Sequence, residues 1–210
     1  MSSNHEIVNP PNVGWVKTKL KNQEMDYMWD LIDDKRESWK KNLAGQIDSS
    51  YIIVDKKDWF FRTVIRPLIK TWKEEFGELN EGNNLSNHPL VLTEMWVNHQ
   101  KQGEYNPLHH HFGLFSFVIW MKIPTRHEDQ RKSKNVAYSN VCLNSSFTFQ
   151  YLDILGRSNT HIYHLNPEDA GTVLLFPSSL WHQVYPFYNC DETRISVSGN
   201  VACNTYKTIR

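Results

Sequence analysis

The chain of 210 residues is poor in several features that would point to a function directly. It has three cysteines, Cys142, Cys190 and Cys203, odd in number and far apart. That spacing excludes a disulfide framework and a cysteine-built zinc knuckle, and it leads to the expectation of an intracellular, cytoplasmic protein. No stretch approaches the roughly 18 apolar residues of a membrane-spanning helix, and residues 1–11 lack the basic start and apolar middle of a signal peptide. There is no excess charge of either sign: 23 Lys and Arg balance 23 Asp and Glu. A neutral chain is not expected to work by attracting phosphate, so neither nucleic acid nor a membrane is an expected partner. Internal repeats and low-complexity tracts are absent as well. The chain does have ten histidines and an aromatic share of 13% that includes eight tryptophans.

The pattern changes near residue 85. Before it, helical spacing dominates. Asn22 is a candidate cap for a helix with Met25, Met28, Trp29 and Ile32 on one face. Asp55 is a candidate cap for a second, carrying Trp59, Phe60, Val64, Leu68, Trp72 and Phe76, kinked at Pro67 and stopped at Gly77. Residues 78–87 form an expected loop. After Pro89 the chain breaks into short strand-like runs at 90–98, 114–123, 147–154, 161–164, 172–176, 182–185 and 194–201, which suggests a β-sandwich or barrel. Residues 125–145 are polar and patternless, as expected of a lid or mobile insertion.

His109, His110 and His111 stand in a row after Gly103 and Asn106. In an extended strand His109 and His111 share a face and lie about 6.5–7 Å apart, close enough to converge on one metal ion. Further on, Gly171, an apolar strand and the Pro177-Ser-Ser turn lead to His182, which that turn can swing toward the first pair. Then Arg194, Ser196, Ser198 and Asn200 alternate with apolar residues, giving one polar strand face. If that face lines a cavity, a guanidinium fork there would clamp a carboxylate, with a serine hydroxyl beside it.

These residues together resemble the iron(II)/2-oxoglutarate-dependent oxygenases, and in particular a branch found in phages and marine bacteria that is related to prolyl hydroxylase-like enzymes. The matching string runs from Trp96 and Asn98 through His109-x-His111 and Ser116, then Gly171, Phe176-Pro-Ser, His182 and Arg194-x-Ser196 to Asn200. The resemblance implies a mainly β fold, a double-stranded β-helix (jelly roll), with N-terminal helices packed on it. Residues 1–210 would be one domain, with a helical part over 1–88 and the jelly-roll core over 89–203. By position, His109, His111 and His182 would hold Fe(II), while Arg194 would grip the distal carboxylate of 2-oxoglutarate with Ser196 beside it. No catalytic residue is expected beyond the metal ligands. The family reaction turns 2-oxoglutarate and O2 into succinate and CO2 and hydroxylates a C–H bond, here of a small molecule or a protein side chain. The family's usual first motif is His-x-Asp or His-x-Glu, whereas His111 is an imidazole and removes one negative charge from the metal. Glu94 and Glu104 are the nearest upstream carboxylates.

Two other readings stay open on the residues alone. A cupin that does not use 2-oxoglutarate would share the spacing of Gly103 to His109-x-His111 and of Gly171, Pro177 and His182, but it would lack its glutamate, because Phe115 and Ser116 stand there. A non-catalytic jelly roll that binds a carbohydrate or a protein needs no metal. Among the other histidines, His5, His88 and His127 are expected in water, and His161 and His164 at a surface or edge. His110 is expected to be packed or solvent-facing, and His99 has a minor claim on the site.

Overall fold

The computed structural model describes residues 12–34, 37–77, 89–134, 136 and 139–204. The expected loop at 78–87, together with His5 and His88, lies outside them. Ten antiparallel strands form two sheets among the described residues. Six strands, β1 (Val16–Lys19), β2 (Ser49–Ile52), β3 (Leu90–Gln100), β5 (Phe115–Lys122), β8 (Thr172–Pro177) and β10 (Arg194–Cys203), pair in the order β1-β8-β5-β10-β3-β2. The other four, β4 (Asn106–His109), β6 (Ser146–Leu152), β7 (Ser158–His164) and β9 (Trp181–Val184), pair in the order β4-β9-β6-β7. From β3 onward the chain passes back and forth between the sheets, which makes the jelly roll.

β5 explains why the sheets stay together. It is buried on both faces and so reads as a continuous apolar run. Phe115, Phe117, Ile119 and Met121 pack on the helical side, while Val118 and Trp120 join Phe147, Phe149, Leu174 and Phe176 between the sheets. Each such aromatic contributes about 1.5–3 kcal/mol by leaving water. On the helical side, α1 (Asn22–Asp33) buries Met28, Leu31 and Ile32, and α2 (Arg66–Phe76) buries Ile69 and Trp72. The Trp72 indole also donates to the Gly14 carbonyl at 2.8 Å, tying the segment before β1 to this helix.

Several expectations need correction. The first helix is capped by Lys21, whose N–H donates to Glu24 Oε2 at 2.8 Å, so Asn22 is already helical. Asp55 does bind a helix start, accepting the N–H groups of Phe60 and Phe61 at 2.9 and 2.8 Å. Just before Pro67 the helix widens into a π-helical turn, Phe61–Ile65, which runs without a break into α2 and carries the proline near the start of that helix. The front half is not wholly helical either, because β1 and β2 supply both edges of the larger sheet.

The described residues of 125–145 are tied down. They include α3 (His127–Gln130), whose Gln130 exchanges hydrogen bonds with Tyr188 O and N at 2.9 and 2.8 Å. His127, expected in water, is 7% exposed and stacks on His164 with ring centroids 3.7 Å apart. Among the described residues no helix is long and apolar enough to cross a membrane.

Candidate functional site

One ring nitrogen from each of His109, His111 and His182 lies within 4.8 Å of the others, and this is the sole such cluster of potential metal ligands among the described residues. Two of the three are a cross-strand pair. His109 on β4 stands opposite His182 on β9, with ring centroids 4.3 Å apart. His111 arrives differently. β4 ends at His109, so strand alternation does not place His111; its backbone N–H donates to Ser178 O at 2.9 Å, in the turn that leads to His182. Trp96 meets its ring edge-on at 5.7 Å.

The donor set suits a divalent metal. His109 Nδ1 lies 2.7 Å from Pro107 O and His182 Nδ1 lies 2.8 Å from Leu180 O. A carbonyl can only accept, so each Nδ1 carries the proton and each Nε2 is left with a bare lone pair. Burial pushes the pKa of all three imidazoles down, that of His111 to about 4, with the neighbouring histidines adding to the shift. They are therefore neutral at pH 7, as ligation requires. No carboxylate of the described residues joins this cluster. Glu94 accepts from Asn200 Nδ2 at 2.7 Å, and Glu104 accepts from Lys101 N at 2.7 Å and Asp48 N at 3.0 Å.

The triad sits where two cavities meet, since Trp96, Asn98, Asn106, His109 and His111 line both. The outer cavity, about 250 Å³, is walled by Ala44, Gly45, Glu94, Phe112 and Asn200. A Cβ at Gly45 would lie 2.1 Å from Asn106 Oδ1, so a larger residue there would have to push the Asn106 side chain aside. The inner cavity is narrow, about 30 Å³, and runs between the sheets past His182 to Trp120, Arg194, Ser196 and Ser198. The polar face expected on β10 is thus divided: Arg194, Ser196 and Ser198 face inward, and Asn200 faces the outer cavity.

Arg194 is 1% exposed, and no carboxylate of the described residues pairs with it. Burial alone lowers its pKa to about 9, leaving a cation at neutral pH inside the molecule. A buried charge of this kind is stable only beside an anion or a full set of acceptors. Its neighbours are Gln100, Tyr185 O, Ser145 Oγ and the Phe187 ring, none of which the sequence pattern singled out for this role. Gln100 carries no such signal in the sequence, and Ser145 closes a segment that reads as featureless. Ser196 lines the same cavity. His99 packs against Tyr51 at 5.9 Å and His110 is exposed beside Trp181 at 4.7 Å; neither is in the triad. Of the nearby aromatics, Phe115 and Phe187 are buried core, whereas Phe112 and Trp181 are exposed.

Known structures share this architecture. The chain is similar to an oxidoreductase of the 2OG-Fe(II) oxygenase family from Burkholderia pseudomallei, at 13% identity and a TM-score of 0.54 over 90% of this chain and 86% of that one. It is also similar to a Pseudomonas putida prolyl-4-hydroxylase, at 12% identity and a TM-score of 0.54 over 91% and 93%. A Trichoplax adhaerens prolyl hydroxylase, in complex with a hypoxia inducible factor oxygen degradation domain peptide, gives 12% identity and a TM-score of 0.51 over 94% and 87%. At such identities the likeness is one of fold. No curated protein matches the sequence. The family model described as "Putative 2OG-Fe(II) oxygenase" matches residues 94–200, half of the chain, including the three histidines, Arg194 and Ser196. The chain belongs to the 2OG-Fe(II) oxygenase family, an oxidoreductase family that implies Fe(II) and 2-oxoglutarate as cofactors and O2 as co-substrate.

Proposed function

We propose that this protein is a dioxygenase that hydroxylates a C–H bond of a small molecule or a protein side chain while 2-oxoglutarate is converted to succinate and CO2. The observation that carries this reading is a buried cation with no acid of the described residues beside it, at the inner end of the cavity onto which three neutral imidazoles converge. His109, His111 and His182 hold Fe(II) through ring nitrogens, and the carbonyls of Pro107 and Leu180 fix two of those rings. Arg194 takes the distal carboxylate of 2-oxoglutarate, and the Ser196 hydroxyl stands beside it on the same face of β10. When bound, the metal and the 2-oxo acid supply the oxidising chemistry. The protein orients the co-substrate, keeps water from the inner cavity with Trp96, Trp120 and Phe176, and admits the substrate through the outer one.

The sequence expectation of a two-toothed arginine clamp is narrowed. The Nε–Nη2 edge of Arg194 is already turned to Gln100, so the carboxylate meets the Nη1 side. We further propose that residues 1–210 act as one domain, a reading supported by the core that α1 and α2 share with β3, β5, β8 and β10. A cytoplasmic location fits the three free cysteines.

Anaerobic Fe(II) and 2-oxoglutarate should together give the weak visible absorption of a metal-chelated 2-oxo acid. Arg194→Ala should weaken 2-oxoglutarate binding far more than metal binding. No absorption and no binding in the wild type would remove the proposal, and equal losses in the variant would make Arg194 structural.

A further inference from the structure

A guanidinium has five N–H donors, and at Arg194 they are unequally engaged. Nε and Nη2 both donate to Gln100 Oε1, at 3.0 and 2.8 Å, and Nη2 also donates to Tyr185 O at 2.7 Å. Nη1 has only the Ser145 hydroxyl, at 3.4 Å. The Phe187 ring covers one face of the group, with its centroid 5.2 Å from Cζ.

Gln100 is held just as firmly. It is 3% exposed, and its Nε2 donates to the Glu104 carbonyl. A guanidinium only donates and a carbonyl only accepts, so the amide has a single permitted orientation. The turn that presents the Glu104 carbonyl is itself fixed: Gly103 adopts φ +80°, the Glu104 carboxylate accepts from Lys101 N and Asp48 N, and Gly103 N donates to Phe187 O at 2.9 Å. Residues 100–104 and 185–187 therefore form one frame around Arg194. Toward the guanidinium the frame presents carbonyls, an amide and a ring; of its two ionised side chains, Lys101 is exposed and Glu104 is turned to backbone amides.

Resting on the cofactor assignment above, we propose that Gln100 is the positioning residue that makes the inner cavity selective for a dicarboxylic 2-oxo acid. Its oxygen fixes the guanidinium by the Nε–Nη2 edge and directs Nη1 toward the ligand. Because the amide is neutral, it orients the cation without cancelling its charge. A carboxylate of the same size at this position would form an internal ion pair with Arg194, and the distal carboxylate of the ligand would then meet a neutralised partner and an added negative charge.

The test uses Mn(II)-loaded protein without O2 and compares by calorimetry the binding of 2-oxoglutarate with that of 2-oxovalerate, which has the same carbon chain but no distal carboxylate. Wild type should prefer 2-oxoglutarate. Gln100→Glu should reduce that preference by about 100-fold, the scale of disrupting a buried charge pair, with 2-oxovalerate and Mn(II) binding unchanged. Gln100→Ala keeps the charge but frees the guanidinium, and it should reduce the preference by about tenfold; it carries the test if the first variant does not fold. A preference undiminished in both variants overturns the inference. So does an equal loss of both ligands, which is what a merely structural role would produce. A wild type that does not distinguish the two acids would instead remove the arginine assignment on which the inference rests.

Discussion

His182 is the most enclosed of the three imidazoles, 4% exposed, with the rings of Phe147, Phe149 and Phe176 around it. Replacing it by alanine leaves a mostly apolar hole, which a folded core tolerates at a cost of about 2–4 kcal/mol. Metal binding has no such reserve, because two imidazoles cannot form the three-cornered site. We expect His182→Ala to keep the far-ultraviolet circular dichroism of the sheets while Mn(II) affinity falls by more than about 100-fold, beyond what loss of a ligand's hydrogen-bond partner causes. Full metal occupancy in that variant would take His182 out of the site. At this scale the sequence shows which residues meet better than it shows why they meet. The His-x-His spacing pointed to two residues that the fold does bring together, but strand alternation is not the cause: β4 stops at His109, and the bond from His111 N to Ser178 O places the second ring. The direct pairing of His109 with His182 could not be read, because β4 is four residues long and interrupted by Pro107, which hides its strand pattern.

The elements show the same division between pattern and geometry. The apolar stripes of α1 and α2 and the seven strand runs after residue 89 follow from periodicity; the strands are present with their ends shifted by a few residues, whereas the second helix, expected from Asp55 on, reaches α2 only through a 3-10 turn at Lys56–Asp58 and the π-helical turn. The edge strands β1 and β2 carry no such signal, because a four-residue strand inside a polar stretch has too few alternations. Asp55 is the clearest case of an element boundary written in the sequence. Its two carboxylate oxygens accept Phe60 N and Phe61 N, and the Tyr27 hydroxyl donates to it at 2.7 Å. No sequence signal marks the π-helical turn that follows. Asp55→Ala would leave buried donors without acceptors, and the expected loss is about 2 kcal/mol of stability. The measurement is the urea midpoint. A midpoint unmoved by the substitution would mean that these amides find other partners, and that the helix start depends on packing instead.

At the scale of the whole molecule, the balanced charge total conceals a local imbalance: a buried cation and three imidazoles held neutral lie inside one cavity system. This arrangement makes stability depend on pH in a window set by the histidines. In the unfolded chain an imidazole takes up a proton near pH 6.5, whereas in the folded protein burial holds His111 down to about 4 and lowers His109 and His182 as well. Between those values the unfolded state binds more protons than the native one, so the stability of the metal-free protein falls as pH falls below about 6.5. The part due to His111 is fully lost by about pH 4. The carboxylates with lowered pKa, Asp48, Asp129, Asp153 and Glu168, begin from 3.8 to 4.5 and so contribute below most of that window. We therefore expect the Tm of the metal-free protein to drop between pH 7 and pH 5, and the drop to be smaller in His111→Asn, which cannot titrate. Mn(II) binds only the neutral rings, so the Tm gap between loaded and metal-free protein should narrow as protons compete for the same nitrogens. A metal-free Tm that stays flat over this range would show that the three rings are as accessible to protons in the folded state as in the unfolded one, contrary to their enclosure between the sheets.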